Sequence, residues 1–132
     1  MNRFALLILP VALAACMPEA PDTGSDGGVA IPAAIQGRWG LAANECTADP
    51  SIAKGLLTID ATTLKFYESR GTLVEVKSAS ATRLEGTFDF TGEGQIWQLQ
   101  QTLDVQDGGA VLIRREYGPD AAPGALRYVS CG

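Results

Sequence analysis

Three side-chain types with recognisable chemistry stand out: three cysteines (Cys16, Cys46, Cys131), a set of carboxylates, and no histidine at all. Without histidine, Ser–His and Cys–His nucleophilic catalysis lose their usual base, and most zinc chemistry loses its usual ligand. Carboxylate pairs are the acid–base route that remains. Asp60 and Glu68 flank one candidate strand, Glu85 and Asp89 lie along another, and Glu93 sits in a turn. These placements suit solvation rather than a catalytic dyad. Gly92, Gly94, Gly108 and Gly109 fall between apolar alternations, as hairpin turns do, and lack the strand-to-helix setting of a phosphate loop. Arg114, Arg115 and Arg127 put positive charge on the last two strands, with Glu116 and Asp120 close by as on a solvated surface. The expectation is no catalytic residue, no metal site and no cofactor, with an enzyme the last of the functional classes.

The first cysteine belongs to a different chemistry. Arg3 and the amino terminus give a positive start, and Phe4 to Ala15 is an uncharged apolar run of 12 residues, the length of a signal-peptide core and too short to span a bilayer. It ends in Leu13-Ala14-Ala15-Cys16. This resembles the lipobox of bacterial lipoproteins, in which small residues precede a cysteine that receives diacylglycerol and becomes the mature N-terminus. The resemblance covers the first 16 residues. It implies cleavage after residue 15, acyl chains on Cys16, and an anchor beyond the two lipid signals that stable attachment needs. In that family an aspartate after the cysteine retains the protein at the inner membrane. Met17 stands there in this chain, which implies the periplasmic face of the outer membrane.

With Cys16 used for lipid, Cys46 and Cys131 are an even pair in a compartment where disulfides persist. A bridge between them closes nearly the whole domain, and the chain-entropy model assigns such a loop about 4.5 kcal/mol. Residues 18–32, rich in proline, glycine, serine and acid, read as a flexible tether reaching roughly 20 Å. The expected organisation is a signal peptide over 1–15, a lipidated N-terminus and linker over 16–34, and one folded domain over 35–132. Net charge is −5, and −6 once Arg3 leaves with the leader, a balance that argues against nucleic-acid binding.

The elements follow from period-two alternation between turn residues. Eight strands are expected, over 37–43, 55–59, 63–68, 73–78, 83–90, 95–103, 110–117 and 125–131, joined by short links such as Ser69-Arg70-Gly71. One face carries Leu57, Ile59, Leu64, Phe66, Val74, Val76, Leu84, Phe88, Phe90, Trp97, Leu99, Leu103, Val111 and Ile113. The other carries Thr58, Lys65, Glu75, Lys77, Glu85 and Asp89. An eight-stranded meander that is dry on one face satisfies its edges by closing into an antiparallel up-and-down barrel, with a two-sheet sandwich as the alternative. The inward list is bulky, with Gly86 the exception, so a filled core is expected over an open cavity.

Gly37-Arg38-Trp39 resembles the glycine-x-tryptophan opening of calycin-type barrels such as lipocalins. The resemblance implies that a basic residue of the last strand, here Arg127, packs across Trp39 at the barrel end. The architecture is also similar to the periplasmic metalloprotease-inhibitor family, small secreted barrels with one disulfide. In that family a free N-terminal segment reaches into the protease cleft, whereas here the segment follows a lipidated cysteine. The functional expectation is an envelope lipoprotein that binds another envelope or secreted protein, with protease inhibition as its sharpest form. The alternative is a lipocalin-like carrier of a small apolar ligand.

Overall fold

The computed structural model describes residues 29–132, so the leader, Cys16 and most of the tether lie outside the described residues. Eight antiparallel strands form a closed barrel in chain order: β1 Gly37–Gly40, β2 Leu56–Ile59, β3 Thr63–Lys65, β4 Ser69–Ala79, β5 Arg83–Gly92, β6 Gln95–Gln106, β7 Val111–Tyr117 and β8 Ala125–Ser130. The expected fold and strand count hold, and closure removes the sheet edges that a meander would otherwise expose.

Inward positions follow the predicted alternation on β2, β3, β5 and β6. Leu57, Leu64, Leu84, Phe88 and Leu103 are wholly excluded from solvent, each such side chain contributing about 1.5–3 kcal/mol by burial. Two glycines make this density possible. A Cβ on Gly71 would lie 2.8 Å from the Phe90 ring, and one on Gly86 would lie 2.8 Å from Leu73, so both mark places where a large neighbour crosses the strand. Gly71 is therefore not part of a turn. The link lies at 66–68, where Phe66 N–H donates to Ser69 O, and β4 already begins at Ser69.

The inward list needs correction at two further places. On β4, register shifts between Leu73 and Glu75 and between Val76 and Ser78 leave Leu73 buried and Val74 exposed. A bulge inserts one residue and so exchanges the faces. On β7 the inward residues are Leu112 and Arg114, which face buried Tyr128 and partly buried Leu126 of β8, while Val111, itself buried, and Ile113 pair with Val129 and Arg127 on the other face. The run Val111-Leu112-Ile113 offers no polar residue to fix the phase, and the phase is set by Arg114 turning inward.

The end of the barrel at which the chain enters is plugged by residues assigned in part to the linker. Ile31 and Ile35 are buried in the core, Ile31 N–H donates to Ala61 O at 2.7 Å, and a 3-10 turn spans Ala33–Ile35. The folded unit thus starts before residue 35. Trp39 is buried, and its indole N–H donates to Ile35 O at 2.9 Å, which fastens the plug to β1.

The seam between β1 and β8 is short, with as few ladder pairs as β2–β3. It holds the pairs Trp39↔Ser130 and Gly40↔Val129, extended by Cys131 N–H donating to Arg38 O. The Cys46–Cys131 disulfide, Cα–Cα 5.2 Å, crosses beside it. The expected bridge is present, and it covalently joins the loop after β1 to the end of β8.

Candidate functional site

In an up-and-down barrel, alternate links share an end. The 60–62, 80–82 and 107–110 links lie with the plug. The 41–55 loop, the 66–68 link, the Glu93-Gly94 turn and the 118–124 loop lie at the opposite end, called the rim here. Six large apolar side chains are exposed on or beside the rim: Leu41, Ile52, Tyr67, Ile96, Trp97 and Tyr117. Ile96 is 84% exposed, well beyond what a solvated strand end requires.

An aromatic column holds this surface. Arg114 lies 4.8 Å from the Phe66 ring centroid, Phe66 packs on Phe90 at 6.0 Å, and Trp97 stacks on Phe90 at 5.4 Å with an interplanar angle of 12°. Trp97 pairs with Phe90 across β5 and β6, so its inward parity is as expected, yet it is 37% exposed because it stands at the mouth. Open grooves of about 410 and 440 Å³ flank it, the first floored by Leu99 and Glu116 and the second walled by Phe90 and Ile96.

Beneath the column sits a buried polar cluster that sequence reasoning assigned to the surface. Arg114 Nη1 donates to Gln101 Oε1 at 3.0 Å and to Glu116 Oε1 at 2.6 Å, and Nε donates to the Tyr128 hydroxyl at 3.3 Å. Glu116 also accepts the Ala122 N–H at 2.7 Å, which ties the 118–124 loop over the barrel. A guanidinium tolerates burial only with acceptors of this kind in place. Gln101 Nε2 is buried without a hydrogen-bond partner. The signal available in the sequence was the alternation Leu112, Arg114, Glu116 opposite Leu126, Tyr128.

Arg127 does not meet Trp39. It is exposed on the outer face of β8 opposite Ile113, and the arginine packed on aromatic rings is Arg114. The strand twist is not at fault: Arg127 has the parity of Val129, and Tyr128 is the residue that turns in.

The carboxylates have local tasks. Asp60 accepts the Thr62 and Thr63 N–H groups in the β2–β3 turn, and hydrogen bonding from the Thr63 side chain, with these N–H groups, holds its carboxyl below the usual range. Glu85 lies 3.3 Å from Lys77, whose hydrogen bond holds it low, and Asp89 accepts from Gln98. Glu68 and Glu93 meet at the rim, and the hydrogen bond and repulsion from Glu93 push the Glu68 carboxyl up. No protein-family model, curated protein or solved structure matches this chain. Among the described residues no cluster of three metal-ligating side chains occurs. What the rim offers chemically is an apolar, aromatic contact surface with a polar border.

Proposed function

We propose that this chain is an outer-membrane lipoprotein, acylated at Cys16 and facing the periplasm, whose barrel binds another envelope or secreted protein through its rim. One observation carries the reading: of the eight large apolar side chains exposed among the described residues, all but Val29 and Val74 lie at the end opposite to the entry of the chain. A tether attached at the plug presents that end away from the anchor. Exposed tryptophan and tyrosine on a rigid support are the side chains that dominate binding energies at protein interfaces. Inhibition of an envelope or secreted protease is the sharpest version of this role. The rim would make the contact, because residues 31–35 are packed into the plug and are not a free arm. The filled interior speaks against carriage of a small apolar ligand.

A photoreactive residue placed at Ile96 in the full chain, in cells, should give a discrete protein adduct that is absent when the same residue is placed at Ala81, at the plug end. Adducts from both sites, or from neither, would sink the rim as the binding surface. Saturable quenching of Trp97 fluorescence by an apolar probe that is lost on filling neither groove would return the ligand-carrier reading.

A further inference from the structure

The outer face of β1 to β4 carries a row that the protein's charge makes unusual. Cross-strand register aligns Arg38 with Thr58, Thr58 with Lys65, and Lys65 with Arg70. Three cations thus stand at one level across four strands, a span of about 14 Å at ~4.8 Å per strand, in a chain of net charge −5. Among the described residues, ion pairs join Lys77 to Glu85, Arg83 to Asp104 and Arg114 to Glu116. Arg38, Lys65, Arg70 and the nearby Lys54 form none. The carboxylates next to the row in sequence have partners of their own: Asp60 accepts from Thr62 and Thr63, and Glu68 faces Glu93 as well as Lys54. A groove of about 460 Å³ runs beside the row, lined by Arg38, Thr58 and Lys65 and walled by Ser51, Phe66 and Tyr67.

We propose that this groove binds the chain's own acidic segment, residues 17–28. That segment contains Glu19, Asp22 and Asp26 and no lysine or arginine. It joins the barrel at Val29, and Ile31 is held to Ala61 in the β2–β3 turn, at the foot of the row's central strands. Lys65 is about 13 Å up β3 from Ala61 at ~3.3 Å per residue. Counted from Ile31, where the chain is held to Ala61, extended chain reaches about 17 Å at Asp26 and about 31 Å at Asp22, enough for both carboxylates to come to the level of the row. Docking shortens the free tether. The proposal stands on the segment's charge and path and does not depend on acylation or on the rim's partner.

Carbodiimide coupling of the full chain in detergent micelles tests it, because the protein has three lysines, Lys54, Lys65 and Lys77. Lys77–Glu85, 3.3 Å apart, is the internal control for the reaction and the fold. Monomeric product should contain amides from Glu19, Asp22 or Asp26 to Lys65 or Lys54. Their yield relative to the control should drop roughly fivefold or more in R38Q/R70Q and in 1 M salt, where exposed charges are screened beyond about 3 Å. Formation of the control amide without the segment's amides overturns the proposal. So does a yield indifferent to R38Q/R70Q and salt, and so does coupling of these carboxylates only in crosslinked dimers.

Discussion

Arg114 ties three strands together inside the barrel, bonding Gln101 of β6, Glu116 of β7 and Tyr128 of β8. Its guanidinium is nearly excluded from water and is satisfied by Gln101, Glu116 and Tyr128, so removing it leaves the Glu116 carboxylate with one backbone donor in a buried site. Arg114→Met should lower unfolding free energy by about 3–5 kcal/mol, read from urea denaturation, and Arg114→Met with Glu116→Gln should recover part of that loss. A loss under 1 kcal/mol for the single variant would mean that the cluster is solvated. A second residue-scale effect lies at the rim. Because Glu93 raises the Glu68 carboxyl, the folded state holds that proton more tightly than the unfolded chain does. Stability from this pair is therefore lost as pH rises through the glutamate range. Glu93→Gln should raise the melting temperature slightly at pH 7 and leave it unchanged at pH 3, and equal shifts at both pH values would argue against charge repulsion. Asp60 has the opposite sign: its depressed carboxyl favours folding at neutral pH and ceases to do so as pH falls through its folded value.

Among the elements, the strands differ greatly in how firmly they are held. β5 and β6 stay in register from Arg83↔Asp104 to Gly92↔Gln95, whereas the β1–β8 seam has two ladder pairs and the adjacent disulfide. The bridge spans a sequence separation of 85, and the chain-entropy model gives it about 4.5 kcal/mol. Cys46→Ser with Cys131→Ser should cost about 4 kcal/mol in chemical denaturation. Amide exchange should accelerate first at Trp39, Gly40 and Val129, with β5 and β6 amides retaining their order of protection. Uniform acceleration across all strands would show that the seam is not the weak point. The plug contributes from the other side, since Trp39 is bonded to Ile35 and not to the last strand.

At the scale of the whole molecule, one end is closed by the chain's entry and the other presents aromatic side chains. Under the proposed acylation at Cys16, this polarity would turn the aromatic end away from the membrane. Intact mass of the membrane-extracted protein should show a chain beginning at Cys16 with acyl groups and no free thiol, and Cys16→Ser should leave the envelope membrane fraction. An unacylated mature mass would remove the anchor, while the barrel and its rim would stand unaltered.

Alternation with period two was enough to count eight strands, place most turns and find the core of β2, β3, β5 and β6, because a strand that is dry on one side must alternate. Cysteine arithmetic was enough for Cys46–Cys131. The sequence by itself could not fix the phase of β7 or β4. Three consecutive apolar residues at 111–113 suit either face, and a bulge at Val74 changes parity without changing composition. Nor could it turn Arg114 inward or leave Arg127 outside, since a buried guanidinium depends on acceptors from β6, β7 and β8 arriving together at one point. The cationic row and the apolar rim belong to the same class: Arg38, Lys65 and Arg70, or Leu41, Tyr67, Ile96 and Tyr117, are distant in sequence and become neighbours or share an end only when the barrel closes. Local patterning sets which residues prefer water, and closure sets which of them face one another.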